Sequence, residues 1–275
     1  MGMSDEFMWP GGARAAAIVT VNLDGESVER GEGNAGLLWG RHSYGRYGVQ
    51  AGVHRLLDLF AKHTLKATFF VPGWDAESYP ALCDTIIDAG HDVAGHGYLH
   101  EDFSALAPEE QGDVLDHSEA AFERAFGRRP TGWRAPYGLM SSATRGLLIE
   151  RGYRYDSSYC DDDVPYVVQN ASGQRLVELP VFGPMGDRHY YLLRRGPDVV
   201  AQGWREEFDA MTAAGGLFNL HLRPRGDFGS GRAVRVQAVE TILRHIAQTT
   251  DIWVTTADEM SNWALETLPP TVNTD

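Results

Sequence analysis

His96 and His100 stand four positions apart in Asp92-Val93-Ala94-Gly95-His96-Gly97-Tyr98-Leu99-His100, at the end of a short apolar run. Two imidazoles at that spacing can share one divalent metal ion when a third ligand arrives from elsewhere in the chain. Asp24 is the candidate. It follows the apolar run Ala15 to Leu23 and precedes Gly25, where the backbone can turn and aim the carboxylate at a strand mouth. A helical zinc protease carries Glu directly after its first His; Gly97 fills that place here, which argues against protease chemistry. Histidine pairs at this spacing also arise by chance on surfaces, so the set gains weight from the company it keeps.

For these three side chains to meet, strands must open onto a common rim. Strand-like runs fall at 15–24, 66–72, 92–95, 131–138, 153–158, 176–181, 216–221 and 251–255. Between them lie helical patterns at about 49–63, 79–89, 108–126, 141–151, 199–214 and 234–249, several closed by glycine (Gly90, Gly127, Gly152). Seven or eight strand-helix alternations, with no shift in composition, predict an α/β protein: a single irregular (β/α)7–8 barrel over residues 13–265. Residues 1–12 read as an N-terminal tail and 266–275 as a C-terminal tail, and residues 27–50 form an insert. In such a barrel Asp24, His96 with His100, Arg134, Asp156 and His221 all sit at C-terminal strand ends, on one face. By residue type alone, Arg134 equally suits a structural ion pair and His221 a core histidine with its hydrogen bonds met.

The insert is polar and glycine-rich and holds Trp39, Arg41, His42, Tyr44, Arg46 and Tyr47. A loop so long and aromatic reads as a lid over a site, with Trp39 and Tyr44 as substrate-binding candidates, or as a subunit contact.

The formal net charge of -14, from 38 acidic and 24 basic residues, sets the chain against phosphate backbones and anionic lipid, so neither nucleic acid nor membrane is expected as a partner. Cys83 and Cys160 lie far apart and outside any C-x-x-C pattern, so no disulfide framework is indicated. The first residues lack a basic start and an apolar core of signal length, and no run approaches the roughly 20 apolar residues of a membrane span; a cytoplasmic location is the expectation.

From about residue 13 to 257 the chain resembles the polysaccharide deacetylase family, carbohydrate esterase family four and its relatives. Asp24-Gly25 looks like the end of the first family motif, His96 to His100 matches the second, and Arg134-Ala135-Pro136-Tyr137-Gly138 closely matches the third. Asp156-Ser157-Ser158 is similar to the fourth and Leu220-His221 to the fifth, and all five arrive in the family order. The resemblance implies a barrel of the polysaccharide deacetylase type in which Asp24, His96 and His100 hold zinc or a similar divalent ion. It implies further that the backbone N–H of Tyr137 holds the oxyanion, Arg134 orients a neighbouring carboxylate, and His221 protonates the leaving nitrogen with Asp156 as its orienter. One departure stands out: the Asp that usually precedes the metal Asp is replaced by Leu23, with Asn22 one place further back. Glu26, one of Asp161, Asp162 and Asp163, or activated water alone would then have to serve as base.

The insert and the cluster Asp162-Asp163-Val164-Pro165-Tyr166 look like the intracellular branch that includes peptidoglycan deacetylase-like proteins, cyclic imide hydrolases and a metal-independent allantoinase. That likeness implies a homotetramer and adds Asp162, Asp163 and Tyr166 to the substrate-binding candidates; a subunit contact and a solvated turn are the plainer alternatives. Three functions follow: a metal-dependent hydrolase of non-peptide C–N bonds that deacetylates an N-acetylated sugar or related amide, a hydrolase of small cyclic imides or amides, or a catalytically silent barrel that binds a ligand.

Overall fold

The computed structural model describes residues 7–272. Ten strands form one sheet: β1 (Ala15–Asn22), β2 (Thr68–Val71), β3 (Asp92–Gly95), β4 (Gly132–Trp133), β5 (Tyr155–Asp156), β6 (Tyr166–Gln169), β7 (Arg175–Glu178), β8 (Leu217–Leu222), β9 (Ile252–Thr255) and β10 (Pro270–Val272). Their order is β10-β6-β7-β5-β4-β3-β2-β1-β8, with β9 also on β1. Every pairing is parallel except β6 with β7. The sheet curls into the expected irregular (β/α) barrel; among the described residues no pairing joins β10 to β8, so its irregularity is an unclosed side and one antiparallel hairpin.

All eight residues of β1 are buried, as a parallel strand covered on both faces requires. Its side chains alternate. Ala17, Val19, Val21 and Leu23 join a large cluster with Val53, Leu56 and Phe60 of the helix Val53–Lys62, Trp204 and Phe208 of Pro197–Ala214, and Val239, Ile242 and Leu243 of Ala233–Gln248. Ala16 and Ile18 join a smaller inner cluster with Phe70, Ala94 and Tyr155. This alternation fixes which polar residues face the rim. Thr20, Asn22 and Asp24 share the inner phase, whereas Leu23 belongs to the helix-packed phase.

Several sequence expectations shift. Trp9 is buried, donates from Nε1 to the Gly215 carbonyl at 2.8 Å and stacks on Trp263, so residues 7–12 pack on the body rather than forming a tail; residues 1–6 lie outside those described. Pro270–Val272 pairs with β6 and thus extends the sheet, while residues 273–275 fall outside. Tyr166 begins β6, a strand whose apolar run after Pro165 is too short to stand out. The insert is a chain of short helical turns, Ser27–Gly31, Ala35–Trp39, Tyr44–Tyr47 and Gly48–Gly52, running straight into Val53–Lys62. Gly52 permits that approach, since a Cβ there would collide with the Pro224 carbonyl oxygen. No described helix is long and apolar enough to cross a membrane.

Candidate active site

The C-terminal ends of β1 and β3 bring Asp24, His96 and His100 together, all three buried. Asp24 Oδ1 lies 3.4 Å from His96 Nε2 and 3.5 Å from His100 Nε2. Ligand atoms at the corners of a tetrahedron around zinc stand about 3.3–3.5 Å apart, so the set fits such an ion. Asp24 Oδ1 is buried with no hydrogen-bond partner, as a ligand atom kept for a cation would be. Burial opposes ionisation of Asp24, but His100, His96 and Arg223 outweigh it and hold the carboxyl well below its usual range. Burial pushes the His96 imidazole down to about 4, so it is a neutral ring at pH 7. Its Nδ1 lies 2.7 Å from the Arg134 carbonyl; a proton placed there leaves Nε2 as the acceptor.

Strained backbone gathers at this rim. Asp24 (φ 39°), His100 (φ 62°) and Tyr137 (φ 60°) occupy the left-handed region. Two carboxylates brace these turns. Asp75 accepts from Gly25 N, Ser27 N and Ser27 Oγ at 2.9, 3.2 and 2.5 Å, which fixes the turn just after Asp24. Glu101 accepts from Tyr98 N and Leu99 N at 2.9 and 2.8 Å and folds the His96–His100 loop over Gly97 (φ 70°), where a Cβ would meet Glu101 Oε2 at 2.8 Å.

Arg134 is 3% exposed. Its guanidinium donates to Thr20 Oγ1, Asn22 Oδ1, the Ser157 carbonyl and Ser157 Oγ at 2.8–2.9 Å, and lies over the Phe70 ring. Among the described residues no carboxylate accepts from it, contrary to the orienting role the motif implies. Asn22 therefore has its oxygen on Arg134 and its amide nitrogen 3.1 Å from His96 Nε2. The position facing the rim is thus 22; Leu23 points into the helix-packed core.

The remaining candidates divide. His221 lines the same pocket as Asp24, His100 and Arg134, with Nε2 3.1 Å from the Phe182 carbonyl. Burial first, then Arg223 and Arg134, hold its imidazole well below the usual range, so it is neutral. Asp156 does not orient it. That carboxyl accepts from Ser158 Oγ and stands opposite buried Glu178 on the paired strand β7, which accepts from Ser158 N and Tyr159 N; burial raises Asp156 to about 6, and burial and then Asp156 raise Glu178 well above its usual range. Tyr137 lines the pocket, packs edge-on against His100 with centroids 4.4 Å apart, and donates to Glu32. Glu26 is paired with Arg46 and Arg30 and lies outside the pocket lining.

Trp39, Tyr44, Asp162, Asp163 and Tyr166 do not line the pocket either. Trp39 is 84% exposed under the Arg46 guanidinium. The Asp163 carbonyl receives Leu217 N at the start of β8, the end of that strand remote from His221, and Tyr166 bonds Asp161. The insert reaches the pocket instead through Val28 and Glu32. Two residues the sequence reading missed are Arg223, bridging Asp24 Oδ2 (3.0 Å) and Asp187 (3.3 Å), and Asp187 itself. The signal for Arg223 was its place two residues after His221, in the same phase of β8 and its exit.

A family model described as polysaccharide deacetylase matches residues 45–155. A peptidoglycan deacetylase of Helicobacter pylori is 39% identical over 128 residues, 46% of this chain and 44% of that protein. A peptidoglycan deacetylase-like protein of Gibberella zeae is 35% identical over 153 residues, 54% and 45% of the two chains. The chain thus spans less than half the length of these curated relatives. Among solved structures, an allantoinase is similar in fold, with a TM-score of 0.85 at 23% identity over 96% of this chain and 94% of its own. A Mycobacterium smegmatis protein solved as a candidate polysaccharide deacetylase superposes with a TM-score of 0.92 at 32% identity, covering 99% of this chain and 98% of that one. With near-complete coverage at that identity, the chain belongs to the polysaccharide deacetylase family.

Proposed function

We propose that the protein is a metal-dependent hydrolase of a non-peptide C–N bond, removing the acetyl group from an N-acetylated sugar or related amide. The observation that carries this reading is the Asp24, His96 and His100 set, spaced for one ion and opening into a cavity of about 600 Å³. Zinc or a similar ion held by these residues would supply Lewis acidity toward the amide carbonyl and lower the pKa of water.

The chain's own residues do the rest. Hydrolysis adds water oxygen to the carbonyl carbon, breaks the C–N bond and delivers a proton to nitrogen. His221, neutral and facing the pocket, is the proton carrier, taking a proton from the attacking water on its ring and returning it to the leaving nitrogen. Tyr137 lines the same space, and its ring packs edge-on against His100. Arg223 anchors the second oxygen of Asp24, so the first is left to the cation.

A second reading, opening of a small cyclic amide, is favoured by Asn22: the rim-facing side chain two residues before Asp24 is an amide that already bonds Arg134 and His96, not a carboxylate base. Acetate release from chitooligosaccharides or peptidoglycan fragments, run beside turnover of hydantoin, succinimide and allantoin, separates the two. Metal analysis of the purified protein tests what they share. His96→Ala should abolish metal retention; retention at full stoichiometry would sink the ligand set.

A further inference from the structure

The pocket holds more positive charge than its surroundings explain. Three arginines line it, Arg134, Arg188 and Arg223, in a chain with 38 acidic and 24 basic residues. Arg223 is matched by Asp24 and Asp187, and the nearby Arg225 by Glu29 and Asp227. Arg134 is buried among neutral acceptors only. Arg188 makes no ion pair among the described residues; its guanidinium lies 5.3 Å from the centroid of Phe228, which also lines the pocket. The two carboxylates in the lining are otherwise engaged: Asp24 faces the imidazoles, and Glu32 accepts from Tyr137.

Arg134 is buried without a counter-charge, and Arg188 is exposed and unpaired at the rim; together they leave the pocket a positive excess that an arriving anion would offset. Walls of one sign in a cleft also raise the local concentration of oppositely charged ligand. Resting on the reading of this pocket as the substrate site, we propose that the amide substrate carries a carboxylate, seated on Arg188 at the pocket mouth while the amide lies at Asp24, His96 and His100. Arg188 is then the specificity-determining residue. Its planar fork suits a carboxylate in two-point contact, and the Phe228 face holds it in place. The apolar side chains beside it, Leu192 and Leu193, offer the substrate body a surface without competing for charge.

The test is a binding comparison on the full chain by calorimetry, using pairs in which one member carries an added carboxylate-bearing substituent, N-acetylmuramate against N-acetylglucosamine and hydantoin-5-acetate against hydantoin, with the methyl ester of each acid as the control for the added bulk. The acid should bind at least about fivefold more tightly than its neutral partner in one pair, with the ratio shrinking as salt is raised. In Arg188→Gln the ratio should collapse toward one, in Arg188→Glu it should invert, and Arg188→Lys should keep part of it. Equal affinity within both pairs, no binding of any member at millimolar concentration, or a ratio untouched by Arg188→Gln would each overturn the proposal. Because affinity is read rather than turnover, its failure is separable from that of the hydrolase reading. A surviving ratio with no acetate release and no ring opening would sink the chemistry and leave the carboxylate site standing.

Discussion

If the protein is the proposed hydrolase, Asn22→Asp should raise its rate, and the structure gives the terms. The substitution keeps shape while replacing the amide nitrogen 3.1 Å from His96 Nε2 by an oxygen, and it places a charge on the Arg134 contact, now 2.9 Å long. At an effective dielectric of 20, unit charges about 4 Å apart attract by about 4 kcal/mol. Desolvating the new carboxylate costs several kcal/mol, so folding stability should move by no more than about 2 kcal/mol either way. The larger effect is on chemistry. Asn22 donates to the ring nitrogen a metal would need; the substituted carboxylate no longer does, and it faces the rim where water would be activated. A correctly placed general base is worth roughly 10² to 10⁴ in rate. Acetate release by the metal-loaded variant should therefore rise at least about 10²-fold, with metal retained more tightly through dialysis against chelator. Asn22→Ala is the control: it removes the donor without adding a base, and should gain metal retention but not rate. Unchanged turnover in Asn22→Asp, with metal at full stoichiometry, would refute the claim that position 22 faces the reacting water.

Gly186→Ala tests His221 without altering it: the new Cβ would run into the imidazole ring, so turnover should fall at least about 10²-fold while metal content holds, and wild-type rates would return His221 to a packing role. His91 is buried with its ring held down to about 4 by burial, and it accepts from Ala67 N. Its folded pKa lies below the unfolded value near 6.5, so the unfolded chain binds the proton more tightly; its stabilising share is complete above 6.5 and is lost as pH falls from 6.5 to 4. His91→Asn keeps the acceptor without the titration. The stability gap between wild type and variant should shrink by up to about 3 kcal/mol over that window in urea melts, and a pH-independent gap would contradict it. Glu178→Gln mimics the protonated acid that burial and Asp156 enforce, and its Oε1 can still take Ser158 N and Tyr159 N. It should cost less than about 1.5 kcal/mol at pH 7 in thermal melts, whereas a loss above about 3 would mean that Glu178 is charged in the folded protein.

Strand ends were legible because parallel strands announce themselves: Ala15 to Leu23 and Lys66 to Val71 are near-continuous apolar runs, and the residue that stops each run, Asp24 in one and Pro72 in the other, marks the rim. That is how Asp24, His96, Arg134 and His221 could be placed on one face before any coordinates. What escaped the sequence was pairing across the sheet. Asp156 and His221 look like partners in one dimension, but Asp156 finds Glu178 on neighbouring β7 and His221 finds the Phe182 carbonyl. Glu26, three helical positions from Glu29, is drawn instead to Arg46 and Arg30. The hairpin of β6 and β7 escaped because Tyr166-Val167-Val168 is too short to rise above its acidic neighbours. The insert was legible as an aromatic segment near the site, but not which of its residues turn inward; Val28 and Glu32 do, and Trp39 does not.

The departures from ordinary folding rules gather at one place, and that gathering bears on function independently of any relative. Left-handed backbone at a non-glycine residue costs about 1–3 kcal/mol, and among the described residues three of the six such positions are Asp24, His100 and Tyr137. Asp75 is a fully buried carboxyl raised to about 6 by that burial, yet it accepts three donors so that Gly25 can turn beneath Asp24. Arg134 is a buried cation with no anion, and Asp24 Oδ1 and His100 Nδ1 are buried without partners. Each feature alone weakens the fold, and the apolar clusters around β1 and its helices offset them at a distance. A silent barrel could relax every one of them by single substitutions, Ala or Asn at 24, Gln at 100, Leu at 134, with a gain in stability. That all of them persist together around one cavity is what a site that binds and transforms a ligand requires, and what a merely structural rim does not.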